Sequence, residues 1–278
     1  MKYCRFLFEG KTHYGKVEDR GGEPGRAGEP WIVDLIAAPE EDLSFRLEHP
    51  GAASWSFDFE PMPLSKVELL PPVTPSKIVC VGRNYREHAR ELGNEVPVEP
   101  LLFFKPPSSL LAPGGVVRLP KFSERVDFEG ELVLVIGKRA RKLPPAANWR
   151  ETICGCTLAD DVSARDLQKK DGQWARAKGC DTFCPIGPVV SDELDLDAGV
   201  TLETRVNGEL RQQASTRDFI FPVPILLSAI TAAFTLLPGD IILTGTPSGV
   251  GPLAPGDHVE VSVAELGVLA HSVEADGD

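Results

Sequence analysis

The chain of 278 residues has no excess of basic residues. It carries 29 Lys and Arg against 41 Asp and Glu, which gives a formal net charge of −12. Proteins that bind nucleic acid need clustered Lys and Arg to neutralise phosphates. The acidic balance therefore disfavours a nucleic-acid partner. A small acidic substrate must instead be held locally, by a metal ion or by a few placed cations.

Long apolar segments are also scarce. The first residues, Met1-Lys2-Tyr3-Cys4-Arg5, do not open the apolar core of a signal peptide. The uncharged segment from Phe219 to Gly239 has the length of a membrane span, but two prolines interrupt its start and an aspartate flanks each end. We interpret it as a buried helix followed by a turn and a strand. We expect a soluble, cytoplasmic protein with no membrane partner.

Cysteine is sparse, with six residues in the whole chain. Neither Cys154-x-Cys156 nor Cys180-x3-Cys184 has a common zinc-ligand spacing, and no His lies close to them. We therefore expect reduced cysteines that serve as small buried hydrophobic side chains.

Several catalytic signatures are absent as well. No Gly-x-Gly-x-x-Gly follows a predicted strand, which disfavours a dinucleotide-binding fold. The Gly-rich segment Gly245–Gly251 lacks the Gly-Lys-Ser/Thr ending of a phosphate-binding loop, so we interpret it as part of a pocket lining. No serine occupies a nucleophile elbow.

The sequence divides into two regions at Pro71–Pro75, a proline-rich segment that predicts a stiff linker. Residues 1–70 predict a small, mostly β N-terminal domain with a Gly-rich loop at 21–25 and strands at Cys4–Glu9, Thr12–Val17 and Trp31–Asp34. Residues 71–278 predict an α+β domain with a β-dominated core. Its expected strands are Lys77–Val81, Leu101–Phe104, Glu129–Ile136, Thr152–Leu158, Thr201–Val206, Ile241–Thr244 and His258–Val263. Its expected helices are Arg83–Leu92, with Asn84 as the N-cap and Gly93 as the stop, and Val223–Phe234.

The most informative segment carries alternating acids into an apolar strand. Asp127, Glu129 and Glu131 share one face of that strand because side chains alternate sides. Two carboxylates ~4 Å apart repel by roughly 4 kcal/mol at an effective dielectric near 20. One further acid from Asp160-Asp161 would complete an oxygen site suited to Mg²⁺ or Mn²⁺. The alternative is a solvated acidic rim paired with neighbouring arginines.

His88 and Glu91 lie three residues apart on the first predicted helix, hence on one face. A carboxylate beside an imidazole orients it and raises its basicity, as a water-activating base requires. The alternative is a surface helix that happens to contain a histidine. Lys178, Arg83 and Lys105 are cations that could stabilise an oxyanion or a carboxylate, although each alone is typical of a protein surface.

Together these segments resemble the fumarylacetoacetate hydrolase family over about residues 75–265. The resemblance rests on motifs that occur in the family's order: Gly82-Arg83-Asn84-Tyr85-x-x-His88, Phe104-Lys105-Pro106, Asp127-Phe128-Glu129-Gly130-Glu131-Leu132, Asp161-Val162-Ser163-Ala164-Arg165-Asp166 and Gly245-Thr246-Pro247-Ser248-Gly249-Val250-Gly251. The close spacing of His88 and Glu91 is similar to that of the compact bacterial-type members.

The resemblance implies a mixed β-sandwich roll that pairs as a homodimer. It implies that Mg²⁺ or Mn²⁺ is held by Glu129, Glu131 and Asp161, and that Asp160 is excluded only by the alignment of its motif. It implies a water-activating pair on a lid, His88 and Glu91, and a charge-stabilising lysine, Lys178. It places substrate contacts at Arg83, Tyr85, Gln168 and Thr246.

The expected activity is metal-dependent hydrolysis of a carbon–carbon bond in an acylpyruvate-like 2-keto acid. Because His88 and Glu91 are both present, hydrolysis is preferred over two alternatives, isomerisation or decarboxylation of a 2-hydroxy-diene dioate or of oxaloacetate. A non-catalytic metal-binding β module is an alternative of a different class.

Overall fold

The computed structural model describes residues 1–21, 28–39, 42, 59–91, 93 and 95–277. Five strands precede the predicted linker: β1 (Lys2–Phe8), β2 (Lys11–Arg20), β3 (Glu29–Ile36), β4 (Met62–Pro63) and β5 (Glu68–Leu70). All three strands predicted in this region are confirmed. The predicted Gly-rich loop falls almost entirely outside the described residues.

The strands of the second region form three sheets with those of the first. They are β6 (Ile78–Gly82), β7 (Leu101–Lys105), β8 (Leu110–Leu111), β9 (Val116–Leu119), β10 (Val126–Phe128), β11 (Gly130–Ile136), β12 (Ile153–Asp160), β13 (Ser163–Ala164), β14 (Cys184–Ser191), β15 (Thr201–Val206), β16 (Glu209–Ser215), β17 (Ile241–Leu243), β18 (Gly251–Pro252), β19 (His258–Val263) and β20 (Gly267–Ala275). Within the described residues, the α-helices are α1 (Arg86–Glu91), α2 (Arg165–Asp171), α3 (Ala175–Lys178) and α4 (Val223–Ala233). Short 3₁₀ turns lie at Leu64–Lys66, Pro107–Ser109, Trp149–Glu151 and Thr216–Asp218.

The largest sheet has twelve strands, in the order β4-β3-β2-β1-β14-β12-β11-β17-β6-β7, with β5 beside β1 and β8 beside β14. A five-stranded sheet has the order β16-β15-β19-β20-β9, and a three-stranded sheet the order β13-β10-β18. Parallel pairs (β6 with β17, β8 with β14, β9 with β20) occur among antiparallel ones, so the sheets are mixed. The predicted α+β fold built on a mixed β-sandwich roll is confirmed. The strands of residues 1–70 extend the largest sheet through β1 and β14, and the proposed domain boundary at residue 71 stays a prediction.

Strand β11 is apolar from Leu132 to Ile136, and both of its faces are buried. Leu132 and Leu134 pack in the main core together with Val261 of the five-stranded sheet. Val133 and Val135 point the other way, into a second cluster. Each such side chain contributes about 1.5–3 kcal/mol by leaving water. Because both faces of β11 pack against apolar side chains, Glu129 and Glu131 at its start are held in place by the buried strand that follows them.

The uncharged segment from Phe219 to Gly239 folds as predicted, into α4 followed by a turn and β17. Leu226, Leu227 and Ile230 of α4 are buried. In the described part of the chain, no helix combines the length and the apolar character that crossing a membrane requires.

Two predicted details are wrong. Helix α1 begins at Arg86 rather than Arg83, and Asn84 does not cap it. The Asn84 amide instead donates to Thr244 O at 2.8 Å and accepts from Phe221 N at 2.8 Å, because those backbone groups come close to the end of β6. The predicted end of the helix, Leu92, lies outside the described residues. The expectation of buried cysteines holds for Cys4, Cys80, Cys156 and Cys184, whereas Cys180 is half-buried and Cys154 is exposed.

Candidate metal centre and active site

The acidic strand is interrupted at Glu129. Strand β10 ends at Phe128 and β11 begins at Gly130, so the predicted continuous strand from Glu129 is shortened by one residue. At the break, Glu129 N donates to Asp160 Oδ1 at 2.6 Å, and Asp161 N donates to Glu129 O at 2.8 Å. Only glycine fits beside the break, because a Cβ on Gly130 would lie 2.0 Å from Thr204 Oγ1. The backbone around Glu129 is therefore fixed from both sides.

The pairing of β11 with β12 brings three acids together. Gly130 lies opposite Asp160 in the antiparallel register, which places Asp161 beside Glu129 and Glu131. One carboxylate oxygen from each of Glu129, Glu131 and Asp161 lies within 4.8 Å of the others, and all three side chains are buried. Carboxylate oxygens are the ligands that Mg²⁺ and Mn²⁺ prefer.

Two of these acids have cationic partners. Lys178 Nζ donates to Glu129 Oε2 at 2.6 Å and to Asp161 Oδ2 at 2.7 Å, and Arg165 also donates to Glu129. Lys105, which is fully buried, donates to Asp161 Oδ1 at 2.7 Å. Burial alone would raise the pKa of Glu129, but the charges of Arg165 and Lys178 overcome it and hold that pKa well below its ordinary value.

Lys178 keeps its positive charge in this setting. Burial alone would lower its pKa, but the negative charges of Asp161 and Glu129 raise it above the ordinary lysine value. A charged ammonium at this point can stabilise negative charge that develops on a bound substrate.

Glu131 differs from its two neighbours. Its Oε2 accepts from Gly245 N at 2.7 Å, but among the described residues no Lys, Arg or His nitrogen lies within 4.0 Å of its carboxylate. Burial, followed by the charges of Asp161 and Glu129, raises its pKa well above the ordinary value. A buried acid beside two others, without a cation of its own, fits the donor set of a divalent ion.

The other acids nearby have different partners. Asp160 uses Oδ1 for Glu129 N and Oδ2 for His271 Nε2, at 2.8 Å, with both side chains buried. Asp127, predicted to share a face with Glu129, pairs with Arg125 and Arg165 at 2.9 Å each. Neither belongs to the cluster of close carboxylates formed by Glu129, Glu131 and Asp161.

The predicted water-activating pair, His88 and Glu91, lies next to the cavity that the three acids line. His88 is buried on α1, and its Nδ1 lies 3.4 Å from Glu91 Oε2. Burial lowers the pKa of His88, although the charge of Glu129 acts in the opposite direction. Glu91 also accepts from Gly249 N, at 3.0 and 3.2 Å, which joins α1 to the Gly245–Gly251 loop. The imidazole is therefore neutral at pH 7 and oriented by an anchored carboxylate.

These groups line one cavity of about 540 Å³. Of the residues predicted from the sequence to act at the site, the cavity is lined by Arg83, His88, Glu129, Glu131, Asp161, Gln168, Lys178 and Thr246. Tyr85 is not among its lining residues, and its buried ring packs edge-on against Phe219 at 5.2 Å. Glu91 does not line the cavity either, but it contacts His88, which does. The roles assigned to these residues remain predictions.

The sequence of residues 77–274 matches the family described as fumarylacetoacetate (FAA) hydrolase, C-terminal. The chain belongs to the fumarylacetoacetate hydrolase family. Members of this family are enzymes that include hydrolases, isomerases and tautomerases, and they typically depend on a divalent metal ion.

Relatives within the fumarylacetoacetate hydrolase family differ in the reactions they are named for. The chain is 45% identical over 204 residues to a mitochondrial oxaloacetate tautomerase of Arabidopsis thaliana, covering 72% of this chain and 91% of the relative. It is 40% identical over 254 residues to an oxaloacetate tautomerase of Bacillus subtilis, covering 86% and 83%. A solved structure of 2-hydroxyhepta-2,4-diene-1,7-dioate isomerase from Mycobacterium marinum superposes with a TM-score of 0.82 at 37% identity, covering 100% of both chains.

Several cavity residues were missed from the sequence. Phe103 and Trp174 form an apolar wall, with ring centroids 5.1 Å apart. Lys169 lines the cavity from α2, next to Gln168. The pairing of Asp160 with His271 was also missed. A helical spacing of four residues between Arg165 and Lys169 was the available signal for Lys169, but α2 was not predicted.

Proposed function

We propose that this chain is a divalent-metal-dependent tautomerase or isomerase that moves a proton at the carbon next to the keto group of a small 2-oxo dicarboxylate. The observation that carries the proposal is the buried cluster of Glu129, Glu131 and Asp161, with Lys178 between two of them and His88 lining the same cavity. The relatives named oxaloacetate tautomerase and dienedioate isomerase favour this reaction over carbon–carbon bond hydrolysis, which is our first expectation from the sequence.

A divalent ion held by the three carboxylates would supply Lewis-acid polarisation of the 2-oxo group. The remaining chemistry belongs to the protein side chains. Lys178 brings a permanent positive charge close to those acids, where it can lower the energy of an enolate oxygen. Arg165 orients Gln168 by donating to its Oε1 at 3.0 Å, so the Gln168 amide hydrogens are available to substrate oxygens.

His88 is the candidate acid–base group. With Nδ1 directed at Glu91, Nε2 is the nitrogen that can accept the proton from carbon 3. The electrons of the broken C–H bond then form the C2–C3 double bond, and the carbonyl electrons move onto the 2-oxygen, which takes a proton from solvent. Release of the carbon-3 proton from His88 to solvent completes the conversion of ketone to enol. In the reverse direction the enol oxygen gives its proton to solvent, and His88 delivers a proton to carbon 3. Because this reaction needs no attacking water, it uses fewer groups than hydrolysis does.

Hydrolysis of an acylpyruvate is the second candidate, and the anchored pair of His88 and Glu91 favours it. The pair could orient a water as readily as it accepts a carbon-bound proton. Partnership as a homodimer is a further proposal from the family resemblance, and sedimentation velocity measures it directly.

The test follows the enol of oxaloacetate by ultraviolet absorbance, with Mg²⁺ or with EDTA, and measures pyruvate release from an acylpyruvate in parallel. We expect faster loss of the enol with Mg²⁺, and loss of this activity in His88→Gln and Lys178→Met. The matched control is His258→Gln, which changes an exposed histidine on β19. Rapid pyruvate release without oxaloacetate tautomerisation would replace the proposal with hydrolysis, and full activity in Lys178→Met would contradict the mechanism.

A further inference from the structure

The cations that line the cavity fall into two groups. Arg165 and Lys178 are bonded to the acids at its base. Arg83 and Lys169 line the same cavity, but among the described residues no carboxylate lies within 4.0 Å of either. The site therefore contains two positive charges that no acid of the described chain neutralises.

Helix α2 explains why Lys169 faces the cavity. Arg165, Gln168 and Lys169 occupy positions i, i+3 and i+4, which lie on one face of a helix. Arg165 reaches Glu129 from this face and donates to Gln168. Lys169 is placed one turn further from the acids, and it is exposed. The neighbouring Lys170 is also exposed but does not belong to the residues that line the cavity.

Arg83 is held at the cavity by an unfavourable backbone conformation. Its φ is +58°, in the left-handed region that residues other than glycine rarely adopt, at a cost of about 1–2 kcal/mol. The next residue, Asn84, fixes this conformation through its bonds to Thr244 O and Phe221 N. Gly245 permits the close approach, because a Cβ there would lie 2.7 Å from Asn84 Cβ. Strain maintained in this way at a cavity wall indicates a functional position for the side chain.

Under the proposed function the reacting 2-oxo end of a diacid occupies the base of the cavity, so its second carboxylate lies further out. Glu129 and Asp161 at the base disfavour a further negative charge, and Lys178 already pairs with both of them. Phe103 and Trp174 form the apolar wall, which suits the carbon chain between two acids. The unneutralised cations are the groups that remain for the far carboxylate.

The geometry points to Arg83 and Lys169 as the residues that bind the far carboxylate of a 2-oxo dicarboxylate, with Lys169 setting the preference for a diacid over a monoacid. This inference rests on the proposed function for the identity of the reacting end. It assigns to Lys169 a specificity role that is separate from the acid–base chemistry of His88.

The experiment compares 2-oxoadipate with 2-oxohexanoate, which have the same chain length and differ in the terminal carboxylate. Enzyme-catalysed exchange of the carbon-3 hydrogens for deuterium is followed by NMR with Mg²⁺ present. We expect wild type to prefer the diacid by about 10-fold or more in kcat/KM, as for a charge-assisted hydrogen bond. Lys169→Gln should reduce this preference by about 5-fold, the upper end for an exposed ion pair. Arg83→Gln should reduce it further because Arg83 is less exposed.

Lys170→Gln is the matched control, since it removes the same charge from the same helix outside the cavity. It should keep the wild-type preference. An equal preference in wild type and Lys169→Gln, or an equal loss in both lysine variants, would overturn the inference.

Calorimetric binding of the two acids with Mg²⁺ separates this inference from the proposed function. Wild type could catalyse hydrogen exchange in neither acid and still bind 2-oxoadipate more tightly than 2-oxohexanoate. If Lys169→Gln then loses this difference in affinity, the proposed reaction fails and the carboxylate site stands. If wild type catalyses hydrogen exchange in both acids equally well and binds both with equal affinity, the reaction stands and the carboxylate site fails.

Discussion

Replacing Glu131 by Gln should make the metal-free protein more stable and should reduce the stability that the protein gains from Mg²⁺. Gln has nearly the same shape, and its side-chain oxygen can still accept from Gly245 N. The change removes one of three buried acids, and within the described residues no ion pair is broken.

The size of the effect follows from the spacing of the acids. Two carboxylates separated by 4.8 Å repel by about 3.5 kcal/mol at an effective dielectric near 20. Glu131 escapes part of this repulsion by holding its proton, since burial and the nearby acids raise its pKa well above the ordinary 4.5. In the unfolded chain Glu131 releases its proton as the pH rises through 4.5, whereas in the folded protein it keeps the proton up to the raised pKa. Between these two pH values the free energy of unfolding of wild type therefore decreases as the pH rises. At pH 7 we expect metal-free Glu131→Gln to be more stable by roughly 1–3 kcal/mol.

Glu129→Gln provides the matched comparison on the same segment. It leaves the buried Lys178 and the partly buried Arg165 without one of their acids, so it should destabilise the metal-free protein by about 3–5 kcal/mol. The assay is urea unfolding at pH 7 in EDTA and again in Mg²⁺. Wild type should gain about 2.7 kcal/mol when Mg²⁺ is present at 100 times its dissociation constant. Neither variant should gain more than a small part of this.

Two results would refute this reasoning. One is a loss of stability in EDTA for Glu131→Gln as large as that for Glu129→Gln, which would mean that Glu131 has a stabilising partner. The other is an unchanged gain from Mg²⁺ in Glu131→Gln, which would mean that the ion does not bind to this acid.

Three further predictions follow from particular residues. Asp160→Asn should lower stability by about 1–3 kcal/mol, because it weakens the bonds to Glu129 N and His271; an unchanged urea midpoint would contradict this. Because burial lowers the pKa of His88 and the neutral imidazole is the base, activity should persist below pH 6.5 and fall only at lower pH; an acidic limb at or above 6.5 in the pH–rate profile would argue against this base. Exposed Cys154 should be alkylated by iodoacetamide in the native protein, whereas buried Cys184, with a pKa raised by burial to about 12, should react only after unfolding; mass spectrometry of the peptides distinguishes the two.

Local patterns predicted the elements whose signals are local. His258–Val263 and Thr201–Val206 are found as predicted, since alternation and β-branched residues mark them clearly. The α4 helix begins at the predicted Val223, because Pro222 and Pro224 define its start. Strand β14 (Cys184–Ser191) was not predicted, because a strand buried along its whole length has no alternation.

The candidate site was predicted only in part, for a similar reason. Glu129, Glu131 and Asp161 could be named because family motifs mark them, and their closeness follows from the pairing of β11 with β12. The partners of these acids come from distant segments. Lys105 and His271 approach through sheet topology that no local pattern encodes, and the N-cap assigned to Asn84 failed because a tertiary contact uses its amide.

The buried contact between Asp160 and His271 also bears on the order in which the chain can mature. Asp160 positions the backbone of Glu129, and its second oxygen is satisfied by His271 of β20, the strand nearest the C-terminus among the described residues. A nascent chain that has not yet emerged from the ribosome beyond residue 271 lacks this contact. A residue 111 positions downstream of Asp160 therefore completes the support that Asp160 gives to the Glu129 backbone, and until β20 is paired the contribution of Asp160 rests on its bond to Glu129 N alone.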